Sequence, residues 1–253
     1  MSDSVLLAVD GSTATLTLNN PAKHNRLRPE DLRRIAQLLD QAEAVPDLRV
    51  VILTGAGERS FCSGFDIGSI PAGAGVEGDG FEGMVARVAA VKVPVIAALN
   101  GGVFGGAADL ALACDFRIGV KGMRLFVPPA RLGLHYYPDG LRRFVEKLGP
   151  NIAKRVFLAA EEFEAEELLR IGYLDWLVPR TEFQQRVGEL AARIAGLAPL
   201  ALTGMKRAID AFARAHADEG PMRAAIGASY ASQDLREGLT AHRERRPPRF
   251  KGK

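Results

Sequence analysis

Cysteine is nearly absent from this chain: two residues in 253, Cys62 and Cys114, both inside apolar segments and at no metal-ligand spacing. We expect two small buried thiols in a reducing compartment. The four histidines, His24, His135, His216 and His242, are scattered and include no zinc-binding His–Glu pair, so no metal site is expected. No apolar run reaches the roughly 18 residues of a membrane span. Met1–Val5 lacks the basic and apolar regions of a signal peptide. The expected location is therefore the cytoplasm, with no membrane partner. Two further motifs are missing: there is no Walker phosphate loop and no Gly-x-Ser-x-Gly nucleophile elbow. Thr54-Gly-Ala-Gly-Glu-Arg-Ser60 follows a strand pattern but lacks the third glycine and the helix of a dinucleotide loop, which argues against a nicotinamide cofactor. Net charge is small, +3, and the excess is local, in Arg243–Lys253. Such a cluster reads as a solvated tail, a nucleic-acid patch or a phosphate site. Without aromatic interleaving or a nucleic-acid fold motif, nucleic acid is not an expected partner.

What is present is ordinary globular material, 47% hydrophobic and 25% charged, long enough for one large core or two modest ones. Val5–Val9 and Thr13–Leu18 alternate like strands around an Asp10-Gly11 hairpin turn. Pro29 opens an amphipathic helix to about Ala44, with Leu32, Ile35, Leu38 and Leu39 on one face. Val50–Leu53 and Val93–Leu99 are continuous apolar strands, the pattern of a sheet covered on both faces. Gly68–Gly83 is rich in glycine and acids and reads as a loop, either a lid or a surface insertion. Phe116–Val120 is a further strand, and Tyr173–Val178 is strand-like. Helices are expected at 139–148, 151–159, 165–171, 182–196, 199–215 and 221–243. The chain changes character near residue 197, from mixed α/β to all helix.

Two glycine turns follow strands about forty residues apart: Phe61-Cys-Ser-Gly-Phe-Asp66 and Gly101-Gly-Val-Phe-Gly-Gly106. Glycine lets the backbone come close to a ligand with its N–H groups uncovered. One N–H from each turn, aimed at one oxygen, makes an oxyanion hole for a carbonyl that gains negative charge. The plainer reading is two tight turns of an α/β protein. Asp109 follows the second turn near a helix start, where it serves either as an acid or base or as a partner of the helix dipole.

Together these segments resemble the crotonase superfamily, the enoyl-CoA hydratase/isomerase family, over nearly the whole chain. The likeness rests on Asn20-Pro-Ala-Lys-His-Asn25, on Arg49–Gly57 with Phe61–Ile67, on Pro94–Gly101 through Ala113–Arg117, on Leu132-Gly-Leu134 and on Pro247–Gly252. It implies an α/β fold, a crotonase-like spiral of β-β-α units (residues 1–196) with a helical C-terminal trimerisation region (197–253). It further implies a coenzyme A thioester as substrate, no tightly bound cofactor, and a homotrimer, with pairing into hexamers left open. The two carbonyl donors fall on the Phe65 and Gly106 amides. Lys23, His24, Arg26, Leu27, Gly64, Asp66, Ile67, Gly102, Gly105, Pro129 and Tyr137 fall along the substrate. Phe250 and Lys251 would reach a neighbouring subunit's ligand, which gives the basic tail a phosphate-binding role.

The family's hydratases use two glutamates, and the chain departs there. The first maps to Asp109 and the second to Pro129, which has no acid–base chemistry. His135-Tyr-Tyr-Pro-Asp-Gly140 replaces a stretch that supplies a second polar group in relatives, and Tyr136 matches a tyrosine of the methylmalonyl-CoA decarboxylase branch. Candidate catalytic residues are thus Asp109 with Tyr136 or Asp139. Asp139 reads equally as the N-cap of the next helix, and both tyrosines as pocket wall. The expected chemistry is isomerase- or lyase-type rather than two-glutamate hydration. A decarboxylase-like enzyme and a non-catalytic acyl-CoA- or RNA-binding member stay open as alternatives.

Overall fold

A computed structural model describes residues 4–66, 80–213 and 219–253. The chain opens with a hairpin, β1 (Val5–Asp10) and β2 (Thr13–Leu18), turning at Gly11 with φ +54°. The alternation in β2 puts Ala14, Leu16 and Leu18 into the core and its threonines on the other face. Helix α1 (Pro29–Glu43) starts with proline at its first position, and Asp31 folds back to accept the Arg28 N–H at 2.8 Å. It buries Leu32, Ile35, Leu38, Leu39 and Ala42 as its 3.6-residue period requires.

Strand pairs and helices then alternate. β3 (Val50–Gly55) is followed by β4 (Ser60–Cys62) and α2 (Phe81–Ala89); β5 (Val95–Leu99) by β6 (Gly102–Phe104) and α3 (Ala107–Leu112); β7 (Phe116–Val120) by β8 (Arg124–Phe126) and α4 (Pro138–Phe157). The first strand of each unit joins one sheet, the second strand another. Among the described residues the order is β1-β2-β3-β5-β7-β10 in one sheet and β4-β6-β8-β9 in the other. Later come β9 (Glu162–Glu164), α5 (Ala165–Arg170), β10 (Trp176–Val178) and α6 (Arg180–Ala195). This is the expected spiral of β-β-α units. β5 is buried along its whole length, and Ala97 and Ala98 let neighbouring layers come close.

Helices α7 (Pro199–Ala213), α8 (Glu219–Ala231) and α9 (Gln233–Glu244) complete the chain. Lys206 ties α7 to the core, with its ammonium 2.5 Å from Asp115 and 3.2 Å from the Val93 carbonyl. No helix among the described residues is long and apolar enough to cross a membrane.

Several expected boundaries move. The helix expected over 221–243 breaks at Ser232, whose hydroxyl caps α9 by accepting the Leu235 N–H at 3.1 Å. The two helices expected at 139–148 and 151–159 are both present, separated at Gly149, whose φ of +79° and ψ of 161° are not helical, with Pro150 after it. The strand expected from Tyr173 shrinks to Trp176–Val178, because the Leu174 N–H turns back to the Leu168 carbonyl at 3.1 Å; the Tyr173 hydroxyl bonds the Ala108 carbonyl at 3.0 Å. Of the glycine-rich stretch, Gly80 caps α2 and Phe81 begins it; 68–79 lie outside the described residues.

Candidate active site

The first turn is held by the segment before α1. Leu27 N–H donates to the Gly64 carbonyl (2.9 Å), Asp66 N–H to the Leu27 carbonyl (2.8 Å) and Ser63 N–H to the His24 carbonyl (2.9 Å). Leu27 and Phe65 thus form a parallel bridge, in which the flanking peptides of 64 and 66 make the bonds. The N–H of Phe65 itself points to the other side. Gly64 makes the turn with φ +86°.

The second turn carries Gly105 with φ +55°, its N–H on the Phe126 carbonyl at 2.9 Å, and then Gly106 as the residue preceding α3. The turns touch: a Cβ placed on Gly64 would stand 3.0 Å from the Gly106 nitrogen and 2.7 Å from the Phe104 oxygen. Neither the Phe65 nor the Gly106 N–H has an acceptor among the described residues. Two uncovered amides on half-buried residues therefore lie beside each other where the turns meet. Gly101 and Gly102 allow the close approach upstream, with Gly102 N–H on the Arg59 carbonyl at 3.0 Å.

Asp109 is three residues beyond Gly106 on the same face of α3, fully buried. Arg143 of α4 reaches it through Nη1, 2.6 Å from Oδ1 and 2.5 Å from Oδ2, and the Tyr137 hydroxyl donates to Oδ2. Burial opposes the charge on Arg143, but Asp109 beside it holds the guanidinium above its usual pKa. Tyr137 is pushed up by burial, then by Tyr136 and Asp109, so its phenol remains a donor. Tyr136 stacks on Tyr137 with centroids 4.7 Å apart, and its hydroxyl is buried without a partner. Burial, ahead of the Asp109 charge, raises its pKa as well. The structure thus brings Tyr137, not Tyr136, to Asp109.

Asp139 is not brought to Asp109. Its side chain is 46% exposed and lies 2.9 Å from Arg142. Nor is it the helix cap, since α4 begins at Pro138 with Tyr137 as the residue before it. Pro129 is buried and leads into a single 3-10 turn, Ala130–Leu132. Two residues absent from the sequence reading belong here. Phe81 packs its ring on Gly106, where an added Cβ would meet Cζ at 2.6 Å, and it lies 6.2 Å from both the Phe65 and Tyr137 rings. Arg143 is the other; it sits four residues after Asp139 on the helix that was read only for its cap.

Lys23, His24, Arg26, Leu27, Gly64 and Asp66 gather beside Phe65. His24 and Asn25 both have φ +54°, which kinks the chain so that His24 Nδ1 meets Ser60 Oγ at 2.9 Å and Asn25 turns inward. The Asn25 amide donates to the carbonyls of Ala56, Ser60 and Phe61 at 2.9, 2.9 and 3.1 Å. Arg26 pairs with Asp66 at 3.2 Å. A cleft of about 410 Å³ opens between His24 and the Ala56–Ser60 loop. Ile67 lies outside the described residues. Phe250 and Lys251 do not join this group. The tail runs back along α9, where Lys251 and Gly252 N–H groups bond the buried Asp234 carboxylate at 2.7 and 2.8 Å.

The model of the enoyl-CoA hydratase/isomerase family matches residues 9–253. The carnitinyl-CoA dehydratase of Proteus mirabilis is 34% identical over the full length of both chains. The short-chain-enoyl-CoA hydratase of Clostridium acetobutylicum is 31% identical over 96% of each. Among solved structures, the enoyl-CoA hydratase of Bacillus anthracis superposes with a TM-score of 0.89 at 29% identity, covering 99% of this chain and 100% of that one.

Proposed function

From the chain's membership of the enoyl-CoA hydratase/isomerase family, we propose that it acts on an acyl-CoA thioester by way of an enolate, in an isomerase- or lyase-type reaction. The observation that carries this is the pair of uncovered amides at Phe65 and Gly106. A thioester oxygen accepting both bonds gains negative charge when an α-proton or a carboxyl group leaves, and the bonds strengthen as it does. Each donor is worth roughly 3–4 kcal/mol in the transition state. Two-carboxylate hydration is disfavoured: Pro129 takes the second position, and the Asp109 oxygens are already engaged by Arg143 and Tyr137. Asp109, through Tyr137, is the proposed acid–base group. Decarboxylation is the second reading, favoured by the same engagement of Asp109, because the departing carboxylate supplies the electron pair and no base is required.

Coenzyme A would lie along Lys23–Leu27 and the adjoining cleft. We further propose a homotrimer built through the C-terminal helices. Met205, Ile209, Phe212, Ile226 and Tyr230 expose 56–75% of their surface around an apolar groove of about 440 Å³ between α7 and α8. In that assembly Phe250 and Lys251 would serve a neighbour's ligand. The cytoplasm is the proposed location.

The test is a panel of acyl-CoA thioesters, malonyl and methylmalonyl types included, followed by mass, with α-proton exchange of a saturated thioester in D₂O followed by NMR. Loss of carbon dioxide or a shifted double bond supports the reading. Hydration of crotonyl-CoA at ordinary hydratase rates refutes it, as does failure to exchange any α-proton alongside failure to turn over any thioester.

A further inference from the structure

Asn100 stands where the chain leaves β5 for the second glycine turn, and its side chain reaches the loop that leads into the first. It is buried, and its amide is fully used. Oδ1 accepts the Gly55 N–H at 3.0 Å, while Nδ2 donates to the carbonyls of Gly57 at 2.7 Å and Ser60 at 3.4 Å. An acceptor on one side and two donor hydrogens on the other are the mark of a carboxamide.

The loop it grips, residues 56–61, is bonded along its whole length. Each of its carbonyls accepts from a donor remote in sequence. Asn25 serves Ala56, Ser60 and Phe61, Asn100 serves Gly57 and Ser60, and the Gly102 N–H serves Arg59 at 3.0 Å. Glu58 accepts from Arg180 Nη2 at 2.9 Å, and the same guanidinium donates through Nη1 to the Asn100 carbonyl at 3.1 Å. Arg180, at the start of α6, thus bridges the approach to one turn and the approach to the other. Residues 57–59 are exposed, where carbonyls can bond water at no cost, yet here the protein itself supplies every donor.

Strand pairing alone does not fix this register. β4 and β6 share the pairs Ser60 with Gly102 and Cys62 with Val103, and the register shifts between them, leaving Phe61 as an extra residue. Such a bulge disrupts the ladder and lets the strand bend. The two asparagines bond the Ser60 and Phe61 carbonyls at that bulge. Backbone also lies directly on backbone: a Cβ on Gly101 would stand 2.5 Å from the Arg59 carbonyl carbon and 2.6 Å from the Ser60 nitrogen.

We propose that Asn100 and Arg180 are positioning residues of the carbonyl site, holding the first turn against the second so that the Phe65 and Gly106 amides keep the separation that one oxygen requires. The inference rests on the reading that those two amides bind a thioester carbonyl. Both residues act through the turns, and a misplacement of about 1 Å at a reacting centre costs on the order of 10² in rate.

The experiment is α-proton exchange of a saturated acyl-CoA thioester in D₂O, followed by NMR over a range of thioester concentrations, with the full chain and with Asn100→Ser, Arg180→Met and Arg87→Met. Arg87→Met removes the pairs to Asp40 and Glu43 between α1 and α2, away from both turns, and is the destabilised control. The concentration range separates kcat from KM, so any weakening of the coenzyme A cleft, which the same loop walls, enters KM alone. Asn100→Ser is expected to lose at least about tenfold in kcat and Arg180→Met at least about threefold, with Arg87→Met unchanged and circular dichroism confirming that the variants are folded. Arg180 is exposed, so its removal tests the idea even where Asn100→Ser does not fold. A kcat within about twofold of the wild type in the folded variants, whatever KM does, makes the two residues structural and overturns the proposal. If Gly64→Ala slows exchange while these variants do not, only this inference falls. If the wild-type chain exchanges no α-proton of any thioester, the carbonyl reading fails first and takes this one with it.

Discussion

Replacing Gly64 with alanine tests the carbonyl site with the least ambiguity. The new Cβ would stand 2.7 Å from the Phe104 oxygen and 3.0 Å from the Gly106 nitrogen. Both are backbone atoms, so neither can rotate away as a side chain would. The two turns must separate by some tenths of an ångström or more, which moves the Phe65 and Gly106 amides apart. A left-handed alanine adds roughly 1–2 kcal/mol of strain at φ +86°. Gly122, in the turn between β7 and β8, provides the control: its φ is +81° and a Cβ there meets nothing within 4 Å. Gly122→Ala therefore shares the strain and lacks the collision. Gly122→Ala should lose about 1–2 kcal/mol in urea denaturation, and Gly64→Ala more than that because of the collision. Only Gly64→Ala should lose about 10²–10³ in kcat, the equivalent of one displaced oxyanion donor. Turnover of the substrate from the thioester panel, or the rate of α-proton exchange, is the readout. If Gly64→Ala turns over as fast as Gly122→Ala, the two turns are structural and the oxyanion argument is wrong.

Asp109→Asn leaves Arg143 without its counter-charge in a buried setting, so a loss of roughly 3–5 kcal/mol in chemical denaturation is expected, with the double variant Asp109→Leu/Arg143→Met recovering most of it. A loss below about 1 kcal/mol would show that the pair is solvated in solution. Burial pushes the Cys62 and Cys114 thiols up to about 12, so neither should react with iodoacetamide at pH 8 in the native protein, and both should after unfolding, as mass spectrometry can read. Asn25→Ala strands the carbonyls of Ala56, Ser60 and Phe61; about 1–3 kcal/mol of stability should go, with weaker coenzyme A binding because that loop walls the cleft beside His24. Unchanged coenzyme A affinity in a destabilised Asn25→Ala would separate the cleft from the nucleotide site.

Long elements were legible because their periodicity repeats. Helix α1 shows its buried face in Leu32, Ile35, Leu38 and Leu39, and β7 was read at its observed bounds, Phe116–Val120. β4, β6, β8 and β9 are three residues each, too short for alternation to show; only pairing in space defines them. The glycine turns were legible because only glycine takes φ +86° cheaply beside another backbone. Which of two adjacent tyrosines reaches Asp109 was not, since neighbours differ only in which way the backbone faces the core as α4 begins. Arg143 was hidden for a related reason. It looks like a surface arginine of an amphipathic helix, and only the closeness of α3 and α4, thirty-four residues apart in this contact, makes it the counter-ion of a buried aspartate. Phe81 was masked by its glycine-rich neighbourhood, although it starts a helix and packs on Gly106.

The constellation around Asp109 also limits the proton chemistry that the proposed reaction can use. The carboxylate accepts from Arg143 on both oxygens and from Tyr137 on one. Burial first, then Tyr136 and the Asp109 charge, holds the Tyr137 proton on its oxygen, so at neutral pH that phenol gives a hydrogen bond and does not act as a base. In the proposed alignment the second position is Pro129, which offers a water only a carbonyl, and that carbonyl already accepts the Leu132 and Leu134 N–H groups, both at 3.0 Å. A proton leaving the substrate must then pass to Asp109 with Tyr137 displaced or as part of a relay. A reaction that releases carbon dioxide avoids that step and needs a proton only afterwards; where Tyr137 gives it, the phenolate left beside the Asp109 carboxylate takes a proton back from solvent to close the cycle. Tyr137→Phe separates the two routes. In the relay, α-proton exchange falls with turnover. In the decarboxylating route, carbon dioxide release persists while stereospecific protonation of the product in D₂O is lost, and NMR of the labelled product distinguishes them.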